Sequence, residues 1–388
     1  MATNLHVEQS SSSAVPLLNR RMALALLGLM VLVGGLAGII RLFAGLGRTT
    51  ALVDAYPWGI WIGFDFTLIA FAGAGFTMAG LAHVLHQHKY HDAVRPAILA
   101  GLAGYVAVLL LLVLDLGRPD RFYHFIFFWN FHSPLFEISW CVLLYTTVLL
   151  LEVSPFLLER INRPLSEKLL RVATMIMPVV AVVGVTLSSL HQSTLGTLYL
   201  NMPHRLHALW YSPALPVLFF VSSIMAGLSL ATLAYGGASY VLRRPAKRAI
   251  IDGLARLTGW VALLYLVLKL GDLLVSGELA LIWSAGAYSA WWWLEMSLGL
   301  ILPLALLFIP ALRRPWTPVI APLLLLFGVM MNRFNATMFG QLLPANVNYS
   351  PHILEWLSTL GIIGAAVMAW LLGVRFLAIF EEKKAAHK

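Results

Sequence analysis

Charge is scarce in this chain. Of 388 residues, 11% are Asp, Glu, Lys or Arg, 60% are hydrophobic, and the mean hydropathy is +0.84. Soluble domains typically carry about 25% charged residues, so the composition excludes one. Cysteine is almost missing as well, with Cys141 the single example. Iron–sulfur clusters take several thiolates and covalently attached haem takes a C-x-x-C-H motif. The chain is therefore expected to hold neither, and Cys141 reads as a small core residue. Opposed histidines are scarce too. A b-type haem takes two His on facing helices, yet of 12 His only His191 and His352 border an apolar run. No haem and no metal site are expected; the HVLHQHKYH run at 83–91 reads as a titratable surface loop.

Long apolar runs fill the rest. About 20 apolar residues cross a bilayer core as a helix, and in hydrocarbon every backbone polar group must be paired internally. Spans are expected near 22–44, 58–86, 96–116, 134–152, 169–190, 213–240, 253–275, 288–310, 316–338 and 353–379. The fold class is an all-α membrane protein of ten transmembrane helices.

The formal net charge of +9 does not point to nucleic acid, because the basic residues sit beside helix ends. Lys and Arg collect in every second gap: Lys89 and Arg95, Arg160 to Arg171, Arg243 to Arg256, Arg313 and Arg314, and both ends of the chain. The alternate gaps hold little beyond Arg48, Arg118, Arg121 and Arg205. The positive-inside rule then places both termini in the cytoplasm of a bacterial inner membrane. Residues 1–19, with the Ser10–Ser13 run, read as a disordered cytoplasmic tail and 381–388 as a second tail, around a transmembrane domain at 20–380. Arg20-Arg21 before an apolar run could suggest an export signal, but the run is long and lacks a small-residue cleavage site, so it reads as an uncleaved span.

A faint duplication runs through the chain. Met78-Ala79-Gly80-Leu81 recurs as Met225-Ala226-Gly227-Leu228, and the segment ending at Gly117 recurs as the segment ending at Gly271, at offsets of 147 and 154 residues. Matched segments lie four spans apart, an even number, so the repeats are parallel. Two four-helix bundles are expected, about 58–190 and 213–338, with the first and tenth helices packed outside.

Ionisable groups inside a membrane are expensive and default to functional candidates. Here they are Asp65, Asp115, Glu137, His191, Lys269, Asp272, Glu295 and Arg333, with Tyr105 deeper in its span. Several read as structural: Lys269 with Asp272 as an ion pair on one helix face, Asp115 as a tie to Arg118, and Glu295, after Trp291-Trp292-Trp293, at the interface. Glu137 and His191 each end an apolar span in a small polar cluster, SPLFEIS and SSLHQS. The outward gaps 117–133 and 191–212 are long and aromatic, either an interfacial belt or a docking platform. A lipid-soluble quinone exchanges two electrons and two protons at its oxygens. It is served by an apolar, aromatic-lined pocket with a titratable carboxylate or imidazole.

Several blocks taken together carry a resemblance: YPWGIWIGFDF at 56–66, HDAVRPAILAGLAGY at 91–105, DLGRPDRFY at 115–123, NFHSPLFE at 130–137, LSSLHQSTLG at 187–196 and LHALWYSPALPVLFFVSSIMAGLS at 206–229. Together they resemble the NrfD/polysulfide-reductase membrane-subunit family, and most its ten-helix branch, which includes the HybB-type membrane subunit of respiratory nickel–iron hydrogenases. The resemblance implies a quinone-reactive anchor, not catalytic alone. It would pass electrons between a periplasmic ferredoxin-like iron–sulfur subunit, with hydrogenase large and small subunits behind it, and menaquinone or ubiquinone. Glu137 and His191 match positions of quinone and proton chemistry, Tyr105 and Arg95 polar positions on a proton route, and Asp65, with Trp58 and Trp61, the WGxWIxFD block that would bind the quinone. A different donor complex of the same family would use the same subunit; a proton channel or transporter is the non-redox alternative.

Overall fold

A computed structural model describes residues 20–161, 163–344 and 347–380. The tails expected at 1–19 and 381–388 lie outside the described residues. Among the described residues, ten helices are long and apolar enough to cross a membrane. They are α1 (Arg21–Ala44), α2 (Ile60–Val84), α3 (His88–Asp115), α4 (Pro134–Leu158), α5 (Pro164–Leu200), α6 (Leu215–Val241), α7 (Arg248–Val275), α8 (Ala287–Phe308), α9 (Thr317–Phe339) and α10 (Ile353–Phe376). Proline stands in the first turn of α4, α5, α6 and α9, where its missing N–H has no helical partner to lose.

Two boundaries differ from expectation by eight residues or more. The third helix starts at His88, eight residues before Pro96, which the helix accommodates near its beginning. The fifth runs 37 residues and continues through 191–200, which the hydropathy assigned to a loop. Thr and Gln lower the mean hydropathy there, but Gln192 bonds Ile69 O and Thr194 bonds Glu137 on neighbouring helices, and the helix has no reason to end.

Helices α2 to α5 pack among themselves, as do α6 to α9, while α1 pairs with α10 along the outside and α10 leans on α3. The two groups meet through α2 and α6, through α5 against α6, and through α9 against α2. Lys and Arg gather at the ends joined by the short 85–87, 159–163, 242–247 and 309–316 connections; this is called the basic side, and its opposite the far side.

Close helix crossings depend on glycine. Gly299 of α8 and Gly328 of α9 meet backbone to backbone, and a Cβ on Gly328 would stand 2.6 Å from Gly299 Cα. No side-chain rotation relieves a backbone clash, so Gly328→Val is expected to cost about 1–3 kcal/mol of stability. A lowered midpoint in thermal unfolding of the detergent-solubilised protein checks this; an unchanged midpoint would show that the crossing is looser than described.

Candidate functional site

The polar residues of the first bundle are organised by α5. Gly196 lies against the main chain of Leu215 and Pro216, where a Cβ would approach to 2.6 Å. That contact draws the far end of α5 onto the start of α6 and buries His191, Gln192, Thr194 and Tyr199. His191, fully buried, has Nδ1 3.1 Å from the Tyr105 hydroxyl of α3, and its Nε2 has no partner among the described residues. The Gln192 amide donates to Ile69 O of α2 at 2.9 Å, while its Oε1 is unpaired.

One turn further on, Thr194 Oγ1 stands 2.8 Å from Glu137 Oε1 and 2.8 Å from Leu190 O. A hydroxyl owns one proton. Donated to the carboxylate, it stabilises ionised Glu137; donated to Leu190 O, it leaves the oxygen free to accept a proton from neutral Glu137. The triad therefore suits both protonation states without moving a heavy atom. Glu137 occupies the first turn of α4, near the positive end of the helix dipole, and its side chain is exposed. Glu137 and His191 thus share one wall of α5, the first open to the surrounding medium and the second enclosed.

Tyr105 continues inward. Its ring meets Tyr145 of α4 edge-on, with centroids 4.7 Å apart, and Ser188 lies beside both phenols. Two turns from Tyr145 on the same helix sits Glu152, buried at 2% exposure, with Oε2 unpaired. The hydropathy reading passed over Glu152, whose only signal is a lone acid in the apolar run 148–153. It borders a cavity of about 330 Å³ near the basic side, which is also lined by His83, His91, Arg95, Glu159 and Thr174.

Arg95 stands at this cavity, about 15 Å along the helix from Tyr105 at 1.5 Å per residue. It grips both oxygens of Glu159 at 2.7 and 2.8 Å and donates to Ala378 O. Asp65 is buried on α2 with Oδ1 unpaired, near Asp115 and Tyr105. Trp58 packs edge-on against Tyr199, with centroids 5.9 Å apart. Trp61 turns the other way, donating to Ser358 Oγ of α10 at 3.0 Å beneath Arg41. The two tryptophans of one motif therefore serve different sides of α2, and Trp61 does not join the His191 cluster.

Three structural readings need correction. Asp115 is not tied to Arg118, which binds Asp120 instead at 2.8 Å. The end of α3 is held by Arg41 of α1, which donates to Leu114 O and Leu116 O at 2.7 and 2.6 Å. Lys269 and Asp272 do not bond each other. Lys269 reaches Leu209 O at 3.1 Å and Asp272 accepts from Ser212 at 2.5 Å, because the 201–214 loop folds over their helix. Glu295 does not face the interface. It is buried and accepts from Trp210 Nε1, Asn332 Nδ2 and Asn335 Nδ2 at 2.7–2.8 Å. Arg333, also enclosed, stacks 3.7 Å from the Phe219 ring and donates to Asn332, Phe219 O and Ser222. The second bundle thus holds its charges in a well-bonded network. Among the described residues no group of three His, Cys, Asp or Glu could hold a metal ion.

Residues 49–345 match the family described as polysulphide reductase, NrfD. The chain belongs to the NrfD family. That match takes in α2 to α9 and leaves the α1–α10 pair outside it. This NrfD chain is 36% identical over 341 residues to a Nitratidesulfovibrio vulgaris protein, covering 84% of the chain and 86% of that protein. It is 28% identical to the probable Ni/Fe-hydrogenase 2 b-type cytochrome subunit of Escherichia coli, with 92% of each covered. It is also 28% identical to the menaquinone reductase integral membrane subunit of Nitratidesulfovibrio vulgaris, covering 90% of the chain and 89% of that protein. The latter two are named as subunits of oxidoreductases, and this NrfD chain is a multi-pass membrane subunit of that kind.

Proposed function

We propose that the protein is the quinone-reactive subunit of a respiratory oxidoreductase, lying in a bacterial inner membrane with both termini cytoplasmic. Electrons arrive on the far side from a ferredoxin-like iron–sulfur partner, in the complex of an uptake nickel–iron hydrogenase, and leave on menaquinone or ubiquinone. Reduction of one quinone consumes two such electrons and two protons and forms two O–H bonds. The chain supplies no electrons of its own. Its work is to seat the quinone and deliver protons.

The observation that carries this reading is the exposed Glu137, bonded through Thr194 one turn from the enclosed His191–Tyr105 pair. A quinone approaching from lipid meets Glu137 first, against the aromatic rings of Trp129 and Phe131 and of Phe136 in the first turn of α4. Glu137 passes its proton to the quinone oxygen and regains one from the medium to which it is exposed, with Thr194 bonding the carboxyl in either state. His191 and Tyr105 act behind it as a reserve, and Tyr145, Ser188 and Glu152 extend the line toward the Arg95 cavity. Arg95 holds the cavity rim through Glu159 rather than passing protons itself. Asp65 and Trp58 support the same wall from α2. The two bundles are read as a parallel duplication, a reading supported by the matching contacts of α5 on α6 and of α9 on α2.

A photoactivatable quinone, applied to the complex purified with its native partners, tests the assignment. Label is expected on peptides covering 130–141 and 191–200, with competition by unlabelled quinone. Label confined to other helices, or insensitive to competition, would remove the site from this wall.

A further inference from the structure

One wide cavity does not touch any of these polar groups. It encloses about 460 Å³ between the two bundles and α10. Three helices each turn one face to it at helical spacing. Phe64, Thr67, Leu68 and Phe71 come from α2; Leu230, Leu233, Ala234 and Gly237 from α6; and Ile363, Ala366, Val367 and Trp370 from α10. Ala100, Ala103 and Gly104 of α3 form the back wall, and Met330 of α9 one flank. Faces spaced at i, i+3, i+4 and i+7 ordinarily pack on one another. Apart from its pairing with α1, α10 rests mainly on α3 and touches α2 and α6 only lightly, so the faces stand apart.

The lining has almost no polar character. Its single hydroxyl, Thr67 Oγ1, already donates to Gly63 O at 2.7 Å. Water would find no partner there, and left empty the cavity would forfeit the dispersion contacts of every lining side chain. The side chains that line it are mostly only partly buried, with Val367 45% exposed, so the space communicates sideways with the bilayer. We propose that this cavity is a binding site for one acyl chain of a membrane phospholipid, held as a wedge between α10 and the two bundles.

A quinone fits it poorly. The carbonyls of a quinone ring would be stranded among Ala, Leu and Phe without a donor, whereas a phospholipid leaves its polar head at the membrane surface and sends in hydrocarbon alone. A quinone seated at Glu137 also has no way in for its tail. Helix α2 stands between, with Phe64, Thr67, Leu68 and Phe71 on the cavity face and Ile69, on the opposite face, receiving the Gln192 bond. The inference therefore does not depend on the proposed redox role.

Two measurements test it on the intact complex in native membranes. In the first, the complex is extracted in a mild detergent and its retained lipid counted by native mass spectrometry. Wild type is expected to keep a phospholipid through delipidation, and Ala366→Phe together with Ala234→Leu, which fill the space, to keep at least about tenfold less while eluting as the same assembly. Retention unaffected by the substitutions overturns the proposal, as does a retained molecule that proves to be quinone. The second needs no substitution, so it decides the matter even if the filled variant fails to assemble. A phosphatidylglycerol with a photoreactive group on its acyl chain is crosslinked in the membrane and the adducts are mapped. Adducts on 230–237 and 363–370 are expected in excess over other lipid-facing segments; adducts spread evenly over the helices, or absent from these two, reject a seated chain.

Discussion

Glu137→Gln is expected to lower donor-dependent quinone reduction by at least about 100-fold, the lower end of what a positioned proton donor contributes, while leaving assembly intact. The amide has nearly the shape of the acid and retains an oxygen to accept from Thr194, so the contact of α4 with α5 survives. What it cannot do is release and regain a proton at the exposed end of the Thr194 bond. Because the side chain is at the surface, the stability change should stay within about 0.5 kcal/mol. Turnover is measured in membranes with the native electron donor, and assembly by the yield of the co-purified complex. Normal turnover in an assembled complex would take Glu137 out of the mechanism, and the proton would then have to come from elsewhere in the pocket.

The opposite pattern is expected at Glu295. Its carboxylate receives three donors and lies near two buried cations, Arg333 and Lys269. Glu295→Ala strands those donors and leaves positive charge uncompensated in the protein interior, a kind of change that typically costs about 3–5 kcal/mol. Glu295→Gln preserves the shape and one acceptor, and should fall between. The readout is the fraction of protein that stays monodisperse after heating in detergent. A Glu295→Ala protein as heat-resistant as wild type would mean that the network does not carry the second bundle. Taken together, the two substitutions distinguish a carboxylate kept for its proton from one kept for its bonds. Both are acids in the far-side half of their helices, and the exposure of the one and the enclosure of the other tell them apart.

That contrast shows where sequence reading ran out. Glu295 follows three tryptophans, which suggested an interfacial position. In fact α8 widens into a π-helical turn at Ser297–Ile301 just beyond it, while Asn332 and Asn335 reach it from α9 across the Gly299–Gly328 crossing. Nothing in the local sequence reports a partner 37 or 40 residues away. Lys269 and Asp272 failed for a related reason: their spacing was right for a pair, but the 201–214 loop offered each a better partner. Arg41, a basic residue at the end of an apolar run, resembles an ordinary flank in the sequence. Its role as the clamp on α3 depends on α1 lying against that helix.

The number of helices, their alternation and the membrane setting were decided by the sequence alone, because hydrocarbon admits few ways to satisfy a backbone and long apolar runs announce which one is used. The chemistry of a site could be anticipated to the extent that polar residues are rare enough in such a chain to stand out individually. Which of those residues meet was decided only by the tertiary structure. Helix α5 had to run on through 191–200 before His191 could be enclosed against Tyr105 and Thr194 could reach Glu137, and that continuation rests on Gly196 lying against another helix's main chain. Contacts of this kind are set by helix rotation and close approach across the fold, and no stretch of ten residues contains them.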